Sequence, residues 1–245
     1  MTRLLETRAV SKRFGGLEAV SAVDFRVDRG EVRALIGPNG AGKTTLVGLI
    51  SGRLDPTAGR VFFRERDVTR LRAWDRVGLG IVYTFQVTSL YRRLSVRDNV
   101  ALAVQRRRLR RLLDWIALDR DGLARDVEAA LARVGLGDLG DQPAGALAYG
   151  HQRVLEVAMA LALEPDLLIL DEPTQGLAAG EIDALCRLVR DVAGTATVLL
   201  IEHNLGVVLE LASRVTVMDQ GRIIAEGTPR EIEAHPEVQR VYLGR

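Results

Sequence analysis

Apolar and polar positions follow three different rhythms along this chain, and each predicts a different kind of element. In residues 4–10 and 17–27 the apolar runs are short and interrupted, with Gly15-Gly16 between them, which predicts two strands joined by a tight turn. Val61-Phe62-Phe63, after the turn Asp55-Pro56-Thr57-Ala58, predicts a third strand over residues 59–64, and the three read as an antiparallel sheet. Residues 166–170 and 197–201 are nearly unbroken apolar runs, the pattern of strands buried on both faces of a parallel sheet. Residues 31–36 and the short run Ile81-Val82-Tyr83-Thr84-Phe85 predict further strands. The third rhythm is helical. Val154, Leu155, Val157, Ala158, Leu161 and Ala162 share one face; Ser95 caps a helix over 96–105; 121–134 and 180–192 predict two more. Residues 215–219 and 222–226 predict a hairpin around Gln220-Gly221, with a last helix starting at Pro229.

Composition narrows this outline. With 245 residues and 47% apolar content the chain can bury a large core. No apolar run approaches the roughly 20 residues of a membrane span, and the first residues lack a signal peptide's apolar centre, so a soluble cytoplasmic chain is expected. Cys186 is the single cysteine, which excludes an intrachain disulfide; among apolar neighbours it reads as a small buried hydrophobe. A net charge of +2 gives no ground for nucleic acid as a partner. Arg106-Arg107-Arg108-Leu109-Arg110-Arg111 is a local basic cluster, read as a solvated helix face, with anionic lipid contact as the alternative.

The chemistry is most legible in Gly37-Pro38-Asn39-Gly40-Ala41-Gly42-Lys43-Thr44, which fills G-x-x-x-x-G-K-[ST] between a predicted strand and the helix opening at Thr45. Glycines let successive N–H groups turn inward around phosphates where a helix begins. Lys43 is expected to reach the terminal phosphates and Thr44 to offer its hydroxyl to Mg²⁺. The chain has two lysines, Lys12 and Lys43, against a background of arginine, so position 43 needs a compact ammonium rather than a planar guanidinium. No lysine follows the loop, which excludes the N-K-x-D element of a GTPase.

Other candidates stand at strand ends. Asp171 and Glu172 follow the apolar run 167–170, where ligands bind in parallel sheets, and suit a magnesium-associated and a catalytic carboxylate respectively. His203 follows 197–201 in the same way, with a buried hydrogen-bonded histidine as the alternative. Gln86, after the run 81–85, would by itself be a solvated loop residue. Ala148, Tyr149 and Gly150 open a helix, whose N-terminus attracts an anion. Phe14 either presents its ring to a base or pins the turn from the core.

These motifs in this order resemble the nucleotide-binding subunits of ABC transporters over nearly the whole chain. Residues 37–44 match the Walker A element, Gln86 in Thr84-Phe85-Gln86 the glutamine loop, residues 167–172 the Walker B element with its glutamate, and His203 the switch histidine. Leu147-Ala148-Tyr149-Gly150-His151-Gln152 stands where the signature L-S-G-G-Q stands, and Phe14 matches the adenine-stacking aromatic. Thr84-Phe85-Gln86-Val87-Thr88-Ser89-Leu90, Tyr149-Gly150-His151-Gln152-Arg153 and Ile201-Glu202-His203-Asn204 look most like subunits serving branched-chain amino-acid importers.

The resemblance implies an α/β fold: a P-loop NTPase core with a mainly parallel sheet and an antiparallel β subdomain, in residues 1–86 and 151–245, and an inserted helical subdomain over 87–150. It implies ATP and Mg²⁺ as ligands. ATP would contact Phe14, residues 37–45 through Thr45, and residues 148–152 (Ala148, Tyr149, Gly150, His151 and Gln152) of a second subunit. Glu172, His203, Lys43 and Gln86 would be catalytic, and Thr44, Gln86 and Asp171 would face the metal. Implied partners are a second nucleotide-binding subunit, identical or closely related, transmembrane permease subunits and, indirectly, a solute-binding protein, with the chain peripheral at the cytoplasmic face of the cell membrane. A lipid exporter, or a soluble ATPase acting on nucleic acid or ribosomes, are the alternative settings. Two residues depart from the pattern. Ala148 replaces the signature serine, and Ala178 stands where many relatives have aspartate.

Overall fold

The computed structural model describes residues 2–84, 90–108 and 119–243; Phe85, Gln86, Arg110 and Arg111 lie outside the described residues. The chain opens with a long hairpin, β1 (Arg3–Phe14) and β2 (Leu17–Asp28), turned at Gly15-Gly16. In β2 the strand period sorts the side chains: Val23, Phe25 and Val27 point inward while Asp24 and Arg26 face out. Then come β3 (Val32–Ile36), α1 (Lys43–Ser51), β4 (Ala58–Phe63), β5 (Arg66–Asp67), α2 (Ala73–Gly78) and β6 (Ile81–Tyr83). Three helices follow, α3 (Val96–Arg108), α4 (Arg120–Arg133) and α5 (Tyr149–Ala162), with short 3-10 turns at Gly137–Leu139 and Ala144–Ala146. The rest alternates: β7 (Leu167–Asp171), α6 (Ala179–Ala193), β8 (Thr197–Ile201), α7 (Leu205–Leu211), β9 (Arg214–Asp219), β10 (Arg222–Gly227), α8 (Pro229–Glu233) and α9 (Pro236–Leu243).

Two sheets organise these elements. One is antiparallel in the order β2-β1-β4-β5; the other has six strands in the order β10-β9-β3-β8-β7-β6, parallel except for the β9–β10 hairpin. Every residue of β3, β7 and β8 is buried, as unbroken apolar strands require. Between the sheets, around α1, lies a core containing Leu5, Phe25, Leu35, Leu46, Leu49, Phe63 and Ile169. The opposite face of the six-stranded sheet is covered through Leu168, Leu170, Leu185, Val189 and Leu200. Cys186 belongs to this second core, fully buried, and burial pushes its thiol up to about 11, so it is the inert hydrophobe expected.

α5 serves two cores. Leu155, Ala158 and Ala162 pack with Val100 and Val104 of α3 and Leu131 of α4, whereas Val157, Ala160 and Leu161 join the residues under the sheet. The basic cluster is partly spent in this packing. Arg107 pairs with Asp126 and Glu164, and Arg108 with Asp126, so two of its arginines tie α3 to α4 rather than forming a solvated face.

Two helices escape the sequence pattern because they are too short for a helical period to register. α7 is started by Asn204, whose Oδ1 accepts from the N–H groups of Gly206 and Val207 at 3.0 and 3.4 Å. α2 is held by Arg76, fully buried, whose guanidinium donates to the carbonyls of Leu49 and Ile50 at 2.6 and 2.7 Å and to those of Thr69 and Leu71. It thereby satisfies the C-terminal carbonyls of α1, which would otherwise be buried orphans. The expected last helix is broken in two at Pro236, which cannot donate to the preceding turn.

Candidate functional site

The order β3-β8-β7 puts the ends of three parallel strands side by side, and each carries chemistry. After β3 comes the glycine loop. Gly37 has φ 154° and Gly42 φ 98°, and both approach other backbone closely: a Cβ would stand 2.2 Å from Met218 O at Gly37 and 2.4 Å from Ala19 O at Gly42. The loop is therefore clamped between β9 and β2, and no side chain fits at either position. Asn39 and Gly40 form its exposed tip, Pro38 is half-buried, and Ala41 is buried, its carbonyl accepting from Gly221 N–H at 2.9 Å. α1 starts with no side-chain cap and no acidic residue in its first turn, so no side chain of its own competes for its leading N–H groups, a setting that favours an anion.

Lys43 is only 8% exposed, and its ammonium donates to Gly37 O at 2.6 Å and Pro38 O at 3.0 Å, spanning the loop. Burial lowers its pKa, while Glu172 and Asp171 favour the charged form. Thr44 is exposed and Thr45 half-buried at the start of α1. Asp171 closes β7 at 2% exposure; burial raises its pKa, against the Tyr83 hydroxyl, which donates to Oδ2 at 2.6 Å. One buried carboxylate at a strand end is a donor of the kind that suits Mg²⁺, which takes most of its shell from phosphates and water.

Glu172 follows directly, in the left-handed region at φ 48°, with its N–H bonded to Ile201 O at 2.9 Å. Such a conformation is costly for a residue with a Cβ and persists where surrounding bonds impose it. His203 follows β8, 58% exposed in its side chain, with Nδ1 4.0 Å from Glu172 Oε1. The alternative of a buried, satisfied histidine is thus removed.

Between them sits a residue that sequence reading missed. Glu202 is fully buried: Oε1 accepts from the N–H and hydroxyl of Thr174, at 3.1 and 2.5 Å, and Oε2 from the N–H groups of His203 and Asn204, at 3.1 and 3.3 Å. One oxygen holds the loop after Glu172 and the other holds the loop of His203. A carboxylate just after an apolar strand was the available signal, but the adjacent histidine drew the chemistry to itself.

The signature segment lies at the start of α5, which Ala148 caps without a side-chain acceptor. Tyr149 and His151 are exposed, Gly150 is buried, and Gln152 donates to Leu147 O at 2.8 Å. The Tyr149 ring lies so close to Gly176 that a Cβ there would meet it at 3.1 Å. Ala178 likewise caps α6 with no acceptor of its own, and its N–H is taken by Glu181 at 2.8 Å. Phe14 ends β1, 46% exposed as a residue, with the Lys12 ammonium 5.3 Å from its ring centroid, which removes the reading of a core aromatic. Beside β6, a groove of about 280 Å³ is walled by Tyr83, Tyr91, Leu102, Met159 and Leu163.

A glycine loop, an acidic strand end and a histidine at adjacent edges of one sheet, with a helical insertion carrying the signature segment, define an ATP-binding cassette. The ABC transporter family profile matches residues 20–175, and the chain belongs to that family. A second profile, for the branched-chain amino acid ATP-binding cassette transporter, matches residues 222–245. The chain is 38% identical to the high-affinity branched-chain amino acid transport ATP-binding protein LivG of Salmonella typhimurium, over 98% of both chains. It is 36% identical to BraF of Pseudomonas aeruginosa, which has the same description, again over 98% of both, and 34% identical to the lipopolysaccharide export system ATP-binding protein LptB of Acidithiobacillus ferridurans, over 100% of this chain and 98% of the other. A crystal structure of the ADP conformation of MJ1267, an ATP-binding cassette of an ABC transporter, superposes with a TM-score of 0.88 at 30% identity over the whole of both chains. No helix among the described residues is long and apolar enough to cross a membrane.

Proposed function

We propose that this chain hydrolyses ATP to power import of branched-chain or related amino acids, as the peripheral subunit of a transporter at the cytoplasmic face of the membrane. The observation that carries this reading is the convergence of residues 37–44, Glu172 and His203 on three neighbouring strand ends; the amino-acid cargo is supported by the likeness to LivG and BraF. Glu172 orients and deprotonates the attacking water, held in its strained backbone by Ile201 O. Lys43 and His203 stabilise charge on the transferring phosphoryl group. Asp171, Thr44 and Gln86 would hold Mg²⁺, which would supply charge neutralisation for the phosphates. The adenine stacks on Phe14. Residues 148–152 of a second such subunit close over the nucleotide, and the groove beside β6 receives a permease segment.

Reconstitution of the chain with a permease pair and a solute-binding protein in proteoliposomes tests this: ATP hydrolysis and uptake should rise together when leucine, isoleucine or valine is present. Uptake of none of the three, with hydrolysis answering to lipid instead, would transfer the chain to the exporter setting that its likeness to LptB also allows.

Ala148 makes a further expectation. Ser at a helix N-cap is worth about 1 kcal/mol over Ala, and a hydrogen bond to a charged phosphate about 1.5–3 kcal/mol. Ala148→Ser should therefore stabilise the chain and shift ATP-driven dimerisation to lower protein concentration, by roughly tenfold or more for each of the two sites, read by light scattering in a hydrolysis-deficient background. An unchanged dimer with an unchanged melting point would show that a hydroxyl at position 148 bonds neither the first N–H groups of α5 nor the nucleotide.

A further inference from the structure

Tyr83, the last residue of β6, touches the metal-side carboxylate and the docking groove at once. Its hydroxyl donates to Asp171 Oδ2 at 2.6 Å, the Arg53 guanidinium lies 4.7 Å from its ring centroid, and the same ring walls the groove with Leu102 and Met159. Asp171 is almost wholly buried, so the direction of its carboxylate depends on specific donors rather than on water. The phenol holds Oδ2, so Oδ1 would be the oxygen offered to a cation. A carboxylate that ligates a metal is ordinarily aimed by such an outer partner, and losing that partner typically costs 10–100-fold in metal affinity.

Resting on the reading of Asp171 as a magnesium-side carboxylate, we propose that Tyr83 is a positioning residue for the Mg²⁺ site, fixing Asp171 from the wall of the groove where a permease segment would dock. Neither β6 nor the glycine loop supplies this link through its motif; it arises because β6 and β7 are neighbours in register, Tyr83 opposite Ile169, two residues before Asp171. Stacking with Arg53 keeps the ring from swinging away when the hydroxyl is removed, so Tyr83→Phe removes the hydroxyl's bonds to Asp171 and Arg53 and keeps the packing of the ring.

The test is equilibrium binding of a fluorescent, non-hydrolysable ATP analogue while Mg²⁺ is titrated, with wild type, Tyr83→Phe and Asp171→Asn compared. Tyr83→Phe should leave metal-free nucleotide affinity unchanged and raise the Mg²⁺ concentration for half-maximal tightening about tenfold. Its hydrolysis should recover at high Mg²⁺, which a defect of folding would not do. Tyr83→Met, also without a hydroxyl, should show the same shift and serves if the Phe variant is poorly folded. A wild-type Mg²⁺ response in both Tyr83 variants, with Asp171→Asn impaired, overturns the positioning role and leaves the site reading standing. Indifference to Mg²⁺ in all four proteins, wild type included, overturns the site reading, and the positioning role with it.

Discussion

Glu172→Gln should lower ATP hydrolysis by about 10²–10⁴-fold, the usual contribution of a general base, while ATP affinity stays within about threefold of wild type. The exchange keeps the side chain's size, so the backbone at φ 48°, bonded to Ile201 O, has no steric reason to relax. What is lost is the proton acceptor. His203 Nδ1 stands 4.0 Å from Glu172 Oε1, and an amide in the place of that carboxylate does not accept the water's proton. The nucleotide contacts proposed for residues 37–45 and Phe14 lie on other elements and would be untouched, so the variant should accumulate with ATP bound. Single-turnover hydrolysis and equilibrium binding, measured side by side, separate the two effects. Hydrolysis at the wild-type rate would remove Glu172 from the mechanism.

Glu202→Ala should be the most damaging change that touches no substrate. Four donors converge on this buried carboxylate, two from Thr174 and two from the backbone of residues 203 and 204. Removing it strands them, and each buried unsatisfied group costs about 1–3 kcal/mol. With partial rescue by water a net loss of about 3 kcal/mol is expected, or roughly 10 °C in melting temperature for a chain of this size. Turnover of the protein that remains folded should also fall, because the spacing of Glu172 and His203 is held through the two oxygens of one side chain. Thr174→Val removes one donor and should show a milder form of both losses. A buried charge can be a net cost that an apolar side chain relieves. If Glu202→Leu melts at or above the wild-type temperature, Glu202 is that kind of residue and holds nothing together.

The strand ends that carry Gly37, Glu172 and His203 were legible one by one, because a run of apolar residues closing on a polar one is a local pattern. The residues that join them were not. Glu202 and Tyr83 each sit in an unremarked position of a strand or its end, and their partners are 28 and 88 residues away in the chain. α2 and α7 were missed for a related reason: their stability comes from Arg76 and from the Asn204 cap rather than from an apolar stripe. The arginine cluster shows the limit from the other side. Charge density alone suggested a solvated face, but Arg107 and Arg108 are used by Asp126 on a neighbouring helix.

By itself, then, the sequence determined the kind of most of the longer elements, the glycine loop, the acidic strand end and the histidine, since these follow from backbone sterics, burial period and the chemistry of single residues. Only the tertiary structure decided that β8 lies between β3 and β7, which sets His203 between the phosphate loop and Glu172 although it comes last in the chain. It also decided why Gly37 and Gly42 admit no side chain, through the carbonyls of Met218 and Ala19. Strand order and close backbone approach are properties of non-local packing, in which the energy of a contact depends on residues far apart in sequence, and no window read along the chain contains both partners.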